Sequence, residues 1–378
     1  MMGLTPDDDR SPMARNYTER GKRREGGQPF HRRHRRLLIS LLAVVIVLPI
    51  LGTASYAYML NAKLNSIEKV PTLSDENRPD PDEGKALNIL LIGSDKGEPQ
   101  PGAENTSIAE DAQSSEWPVG KYRSDTLMIV HITSNRKYSF LMSIPRDTYT
   151  TIYDAEGQPH DSEKINAAFS EYGPLGTLST VEHLTNLRLE HTAIIDWEGF
   201  KDLSSAVGGV PVTIPNSFYD PKQKIQWEAG PQVLEGKKAL AYVRTRYGLA
   251  NGDFDRIARQ QNFLRSLMKK ILDKGTMTSP TKLFSTVTAL TENLTVDDAW
   301  TAGDMRGLAL SLRGIGTDDV IFLTAPVAGT ETIPVYGSIV RLDEAKSEEL
   351  YTAFRKDNLR AYLAKYPDDV LDPPEEIS

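Results

Sequence analysis

No cysteine occurs anywhere in the chain. That absence excludes a disulfide framework, a thiolate metal site and a thiol nucleophile together. Histidine is scarce too, at six residues, and His131, His160, His183 and His191 fall in no HExxH or comparable metal spacing. The Gly-Gly-Val-Pro-Val run from Gly208 lacks the Gly-Lys-Ser/Thr that would follow in a P-loop. No Gly-x-Ser-x-Gly elbow presents a serine nucleophile. Net positive charge is missing as well: the formal charge is −8, which argues against a general nucleic-acid binder. At 378 residues, 39% hydrophobic and 25% charged, the composition is ordinary for a globular protein, and any exported domain must stand on its hydrophobic core alone.

The charge that is present is unevenly spread. Residues 1–36 are polar and arginine-rich, end in a basic run from His31 to Arg36, and read as a disordered cytoplasmic tail. Residues 37–60 carry no charged side chain, and a bilayer needs roughly 20 apolar residues. Arginines before this run, and Tyr56 and Tyr58 near its far end, predict a transmembrane signal anchor with a cytoplasmic N-terminus. Everything after residue 60 is then expected outside the cell membrane. A cleaved signal peptide is the rival reading, with a cleavage site at Ala54–Ala57, but such apolar regions run about 7–15 residues. Residues 61–85 become rich in proline and acid and read as an extracellular spacer. A folded domain is expected over 86–355, and a C-terminal tail over 356–378.

Within that domain, Ala86–Asp95 is a continuous apolar run entering Gly-Ser-Asp, the pattern of a buried strand that runs into a loop. Lys96–Gly120 reads as a long surface loop. Strands are predicted over Ser124–Thr133 and Lys137–Pro145, joined by a short turn. The start of a helix is expected over Ser162–Gly173, a strand at His191–Trp197, and a helix before Gly208–Gly209. Val210–Pro215 reads as an edge strand, given its prolines. The segment ending in Arg244 and Arg246 reads as a strand. A long helix follows, with Ile257, Leu264, Leu267, Met268 and Ile271 on one face, ending at Gly275. Alternation of this kind predicts an α/β fold: a layered α/β/α sandwich around a mixed central sheet, preceded by one N-terminal transmembrane helix.

Acids and arginines gather where these elements end. Asp95 follows the first strand, Arg123 and Asp125 open the second, and Arg146 and Asp147 close the third. Arg244 and Arg246 precede the long helix, which Asp253, Arg256 and Arg259 open. Strand ends and helix N-termini are where α/β proteins build ligand sites. Converging arginines repel one another unless an anion lies between them, and guanidinium forks match phosphate oxygens. Aspartates beside that anion call for a hard cation such as Mg²⁺. Each residue has a structural alternative: Asp253 can cap its helix, Asp147 can serve a turn, and Arg256 can snorkel from the edge of the apolar stripe.

The segments NILLIGSD, RSDTLMIVHI, SIPRDTY, KINAAF, GGVPVTIP and ALAYVRTR…GDFDRIARQQ, in this order, resemble the LytR–CpsA–Psr family of cell-wall enzymes. The resemblance is firm over Ala86–Gly275 and looser to about residue 345. It implies transfer of a glycopolymer from a polyprenyl-pyrophosphate carrier to peptidoglycan outside the membrane, with the lipid tail in an apolar tunnel. It implies Mg²⁺ (or Mn²⁺) on Asp95 and Asp125. It also implies a pyrophosphate clamp of Arg123, Arg146, Arg244 and Arg256, supported by Arg246 and Gln260, with Lys164 and Asn166 in a further motif. It implies Asp253 as the acid near the reacting centre, beside Arg244 and Arg256; in a phosphoryl transfer either Asp253 or Asp147 could act as general base, and the sequence does not choose between them. Asp255 stands where the family pattern usually has Gly, and Ala258 where it often has an acid. The alternatives are a carrier-binding protein without catalysis, a polyprenyl-pyrophosphatase, and a membrane-bound transcriptional attenuator. The polymer moved, the acceptor sugar and the oligomeric state are not set by these motifs.

Overall fold

The computed structural model describes residues 51–82, 84–96, 106–245, 253–374 and 376–377, with Asp95, Lys96, Trp197, Glu198, Asp253, Lys274 and Met277 described by backbone alone. The chain divides into two compact units, Met1–Ala57 and Tyr58–Ser378. In the first, residues 51–57 are helical. The second begins with α1 (58–65), β1 (Glu68–Val70), β2 (Leu87–Lys96), α2 (Ile108–Ala112), β3 (Tyr122–Ile132) and β4 (Ser139–Ile144). The hairpin β5 (Tyr149–Tyr153) and β6 (Pro159–Lys164) leads into α3 (Ala167–Thr185), β7 (His191–Asp196) and α4 (Trp197–Ala206). Four short strands follow: β8 (Val210–Ile214), β9 (Phe218–Asp220), β10 (Ile225–Trp227) and β11 (Gly230–Leu234). Next come α5 (Gly236–Arg244), α6 (Asp253–Leu272), α7 (Lys274–Met277), α8 (Pro280–Asn293), β12 (Leu294–Asp297) and α9 (Ala302–Ser311). The last elements are β13 (Val320–Thr324), β14 (Val327–Ile333), β15 (Gly337–Leu342), α10 (Glu344–Arg355) and α11 (Leu359–Lys365).

One seven-stranded sheet, ordered β1-β12-β7-β2-β3-β4-β13, organises the unit. It is mixed: β7 runs parallel to β2 and β13 parallel to β4, while β3 is antiparallel to both β2 and β4. Strand alternation sorts the apolar residues onto two faces. Leu90, Ile92, Leu127, Ile129, Phe140 and Met142 point one way, onto Phe169 and Val181 of α3 and Leu350 and Phe354 of α10. Ile89, Val130, Leu141, Ala193 and Phe322 point the other way, toward Leu264 and Met268 of α6 and Met305 and Leu308 of α9. Helix, sheet and helix therefore form three layers. Burying each large aliphatic side chain contributes about 1.5–3 kcal/mol. A separate cluster joins α4, α5, α6 and α8 around Trp227, Tyr242 and Phe263.

Several expected boundaries move. Residues 61–85 do not behave as a free spacer: β1 pairs with β12, and Ile67, Val70 and Leu73 are buried. Nor is 356–378 a loose tail, because Leu359, Tyr362 and Ile377 are buried and Leu371 N donates to Phe322 O on the outer edge of the sheet. The segment ending at Arg244 is a helix. Ala239, Tyr242 and Val243 are buried at helical spacing, so packing overrides the strand preference of Tyr and Val. The loop after Lys96 contains α2, held by a capping box between Ser107 and Glu110. Gly275 lies inside α7 rather than ending α6, which stops at Leu272. The helix expected to start within Ser162–Gly173 begins at Ala167, after β6, and bends at Gly173, whose φ of +67 a side chain would resist. A Cβ there would lie 2.8 Å from the Trp117 ring.

The basic tail 1–36 and residues 37–50 of the expected anchor lie outside the described residues. Among the described residues, no helix is long and apolar enough to cross a membrane.

Candidate functional site

Strands β2, β4, β7 and β13 run in one direction, and their carboxyl ends lie along one edge of the sheet. Ligand sites of open α/β sheets form outside such ends. Here β2 and β3 pair with a register shift: Gly93 faces Thr126, but Ser94 faces Ser124. Asp125 is the extra residue of this β-bulge, the device that re-aims a side chain beside many active sites. Gly93 is required by the close approach, because a Cβ would lie 2.9 Å from Thr126 Cβ.

Asp125 meets the end of β4. Arg146 Nη1 donates to Asp125 Oδ1 at 2.6 Å, and Arg146 Nε lies 3.9 Å from Asp147 Oδ1. Lys164 Nζ, from the end of β6, lies 3.4 Å from the same Asp147 oxygen. These four side chains are 17–25% exposed, so each can reach a ligand without leaving the protein. Asn166 N donates to Arg146 O at 3.2 Å. The Asn166 side chain makes no capping hydrogen bond to α3.

Helix α6 closes this edge through two adjacent glutamines. Thr126 Oγ1 donates to Gln260 Oε1 at 3.2 Å, and Gln260 Nε2 donates to Val243 O at 3.3 Å. Gln260 thus links the β3 bulge to the last turn of α5, where Arg244 sits half-buried. Gln261 Nε2 donates to Ser143 Oγ at 2.7 Å and Leu323 O at 2.8 Å, fixing α6 across β4 and β13. One turn before Gln260, Arg256 is 2% exposed, which rules out a snorkelling edge position. Just past Arg244, Thr245 Oγ1 donates to Asp220 Oδ2 at 2.9 Å. Burial works to raise the Asp220 pKa, but hydrogen bonds from Gln223 and Thr245 outweigh it and hold this carboxyl below its ordinary range.

Not every predicted residue joins this group. Arg123 is exposed near the start of β3, with Asp95 as its Cα partner in β2. The Asp95 and Asp253 side chains lie outside the described residues, as does Arg246 entirely. Asp253 is the first residue of α6. Arg259 belongs elsewhere: its guanidinium packs 4.7 Å from the Phe218 ring centroid and 4.8 Å from that of Tyr242, and burial lowers its pKa. Sequence reasoning missed Thr126 and Gln261, since a hydroxyl in a strand and an amide in a helix carry no signal of their own. It also missed Ser94 and Ser124, which are fully buried and whose side-chain hydroxyls have no hydrogen-bond partner among the described residues. Among the described residues, no group of three or more His, Asp or Glu could hold a metal ion.

A sequence model of the LytR_cpsA_psr family matches residues 52–356. The chain belongs to that family. Its match extends the resemblance beyond 86–275 on both sides and takes in β1 and the β14–β15 hairpin. The chain is 32% identical to the cell wall biosynthesis protein LcpA of Corynebacterium glutamicum over 68% of its own length and 53% of that relative, so it spans about half of LcpA. It is 35% identical to the polyisoprenyl-teichoic acid–peptidoglycan teichoic acid transferase TagV of Bacillus subtilis over 40% of its length and 39% of TagV. The crystal structure of B. subtilis TagV superposes with a TM-score of 0.57 at 24% identity, covering 73% of this chain and 98% of that one. This LytR_cpsA_psr chain therefore shares the mixed α/β fold of TagV.

Proposed function

We propose that this chain transfers a glycopolymer from a polyprenyl-pyrophosphate carrier to peptidoglycan, at the outer face of the membrane to which residues 37–60 anchor it. The observation that carries the reading is the cluster of Arg146, Asp125, Asp147 and Lys164 outside the carboxyl ends of the parallel strands. Family membership and the transferase activity named for TagV and other relatives support it.

In the proposed reaction, a sugar hydroxyl of peptidoglycan attacks the phosphorus nearer the glycan. A phosphorus–oxygen bond forms there, the bond to the bridging oxygen breaks, and polyprenyl phosphate leaves. The hydroxyl proton passes to a carboxylate, either Asp147 or Asp253. Such transfers depend on positioning and charge neutralisation rather than a covalent nucleophile. Arg146 and Lys164, with Arg123, Arg244 and Arg256 from the neighbouring elements, would hold the diphosphate. Gln260 keeps the segments that carry Asp125 and Arg244 in place through its bonds to Thr126 and Val243.

Asp95 and Asp125 fit Mg²⁺ or Mn²⁺ by donor chemistry. Mg²⁺ is held by one or two carboxylates together with phosphates and water, so a larger protein cage is not needed. The buried, unpartnered hydroxyls of Ser94 and Ser124 leave the adjoining strand ends with hydrogen-bonding capacity to spare. When bound, the ion would offset phosphate charge. For the lipid, Leu91, Val130, Ile195 and Leu264 are apolar yet only half-buried, although they lie on central strands or on α6 over them. That face supplies an apolar lining for a polyprenyl chain.

The test is transfer by the purified full-length chain from a lipid-linked glycopolymer to peptidoglycan, with and without divalent cation. Transfer by wild type that is lost in Arg146→Ala and Asp147→Asn supports the reading. Full activity in both variants would remove it.

A further inference from the structure

The β14–β15 hairpin is a two-stranded ribbon, and β14 is exposed along most of its length. Its anchor lies directly behind the site: Val340 N donates to Asp147 O at 2.8 Å, and Thr148 and Val340 form a parallel bridge. From that anchor the ribbon carries Tyr336, beside its turn, to Tyr149, with ring centroids 6.1 Å apart at an angle of 56°. On the ribbon's other strand end, the Arg341 guanidinium lies 4.6 Å from the Tyr149 ring centroid and is itself held by Glu331 at 3.1 Å. Tyr149 stands two residues after Asp147 and is the Cα partner of Lys164. Both tyrosines are half-buried, and the neighbouring Val335 is 82% exposed. Glu163 is the Cα partner of Thr150, the residue after Tyr149; burial, and then the carboxylates of Glu163 and Asp161, hold the Tyr336 hydroxyl above its ordinary pKa.

The geometry points to a saccharide-binding wall formed by Tyr149 and Tyr336 beside Asp147, shaped for a pyranose of the polymeric substrate. A pyranose presents a face of C–H groups that lies well against an aromatic ring, and equatorial hydroxyls that donate to carboxylates. Angled rings with Glu163 beside Tyr149 in the β5–β6 hairpin match that pattern. β15 enters the core through Ile339 and Val340, whereas β14 and the turn that carries Tyr336 stay at the surface; the ribbon is tied by its backbone to the loop that holds Arg146 and Asp147. The inference rests on the transferase reading for its ligand class, but it is tested by binding.

The full-length chain in detergent is titrated by calorimetry with two probes. One is an uncrosslinked amino-sugar tetrasaccharide from peptidoglycan. The other is a short-prenyl pyrophosphate carrying the donor glycan. Tyr336→Ala is expected to weaken at least one probe by about tenfold, a loss of roughly 1.4 kcal/mol, while Tyr336→Phe keeps wild-type binding within about twofold. Weakening of the tetrasaccharide assigns the wall to the acceptor, and weakening of the second probe assigns it to the donor glycan. In turnover, KM for that substrate rises more than kcat falls. Equal binding of both probes by wild type and Tyr336→Ala overturns the inference and leaves the transferase reading intact. Failure of wild type to bind either probe overturns it as well. Loss of transfer with saccharide binding preserved removes only the reaction. Tyr149→Leu, which removes the ring and keeps apolar bulk, serves as a second variant should Tyr336→Ala fail to fold, with the same weakening expected.

Discussion

Arg146 donates to Asp125 across 2.6 Å, joining the end of β4 to the bulge of β3. The pair is charge-assisted and only part-buried, so its worth to folding is modest. Its worth to a diphosphate is larger, because a guanidinium fork stays charged and matches two phosphate oxygens. Arg146→Ala is expected to lower kcat/KM for polymer transfer by about 10²-fold or more, with little change in thermal midpoint. Arg146→Lys keeps the charge but loses the fork, and is expected to recover only part of the rate. Steady-state kinetics alongside thermal melts would decide. A variant that loses stability and activity together would point to a structural role instead.

Gln260 acts at one remove. It accepts from Thr126 and donates to Val243, and is itself 9% exposed. Gln260→Leu keeps the volume but breaks both bonds and leaves Val243 O without this donor. The stability loss is expected to be about 1–2 kcal/mol, read from urea unfolding. Transfer should fall further than that loss explains, because Asp125 and Arg244 flank the two tied residues. Wild-type kinetics in the folded variant would show that the tie does not position the site.

The architecture was legible where burial writes a clear pattern. Ala86–Ile92 is apolar but for Asn88 because β2 is covered on both faces, and that run alone identifies a central strand. Three other features left no such trace. β1 is three residues long, and it is secured by pairing with β12, more than two hundred residues away. α5 holds Tyr and Val, which favour strands, and only its packing on Trp227 and Phe263 makes it helical. The bulge at Asp125 depends on a register shift opposite Gly93, which no single strand reveals. For the site, strand ends indicated where acids and arginines collect. Separating Arg146, which meets Asp125, from Arg259, which sits between two rings, required the fold.

A pH dependence follows from Asp357. Its carboxylate accepts from His131 Nε2 at 3.0 Å, Ser134 N at 2.9 Å and Ser134 Oγ at 2.6 Å. Burial opposes the charged form, but the hydrogen bonds from His131 and Ser134 outweigh it and bring this carboxyl down to about 2. An unfolded aspartate titrates near 3.9. The folded value is the lower one, so the contribution is fully present above about pH 4 and drains away as the pH falls toward 2. Asp357→Asn keeps a residue that tolerates the φ of +50 at this position. The variant should be less stable than wild type at pH 7, with the gap closing on acidification. Urea midpoints measured between pH 2 and pH 7 check this, and a gap that stays constant would contradict it.

The strongest test of the revised N-terminal boundary is Arg78. It lies in the segment that composition assigns to a spacer, yet its side chain is 5% exposed and its partner Glu182, within α3, is 1% exposed. The contact is two-pronged, Nε to Oε2 at 2.8 Å and Nη2 to Oε1 at 2.7 Å, with a third bond from Nη2 to Leu189 O at 2.7 Å. A spacer arginine could be removed without consequence. Removing one partner of a buried pair instead strands the other charge in the interior, at about 3–5 kcal/mol. Arg78→Ala is therefore expected to lower the urea midpoint sharply, and Glu182→Ala to do the same. The double replacement Arg78→Met with Glu182→Leu should recover much of the loss, because it leaves neither charge unpaired. If Arg78→Ala matched wild type, the segment before β2 would be a tether after all, and the domain would begin where its composition first suggests, near Ala86.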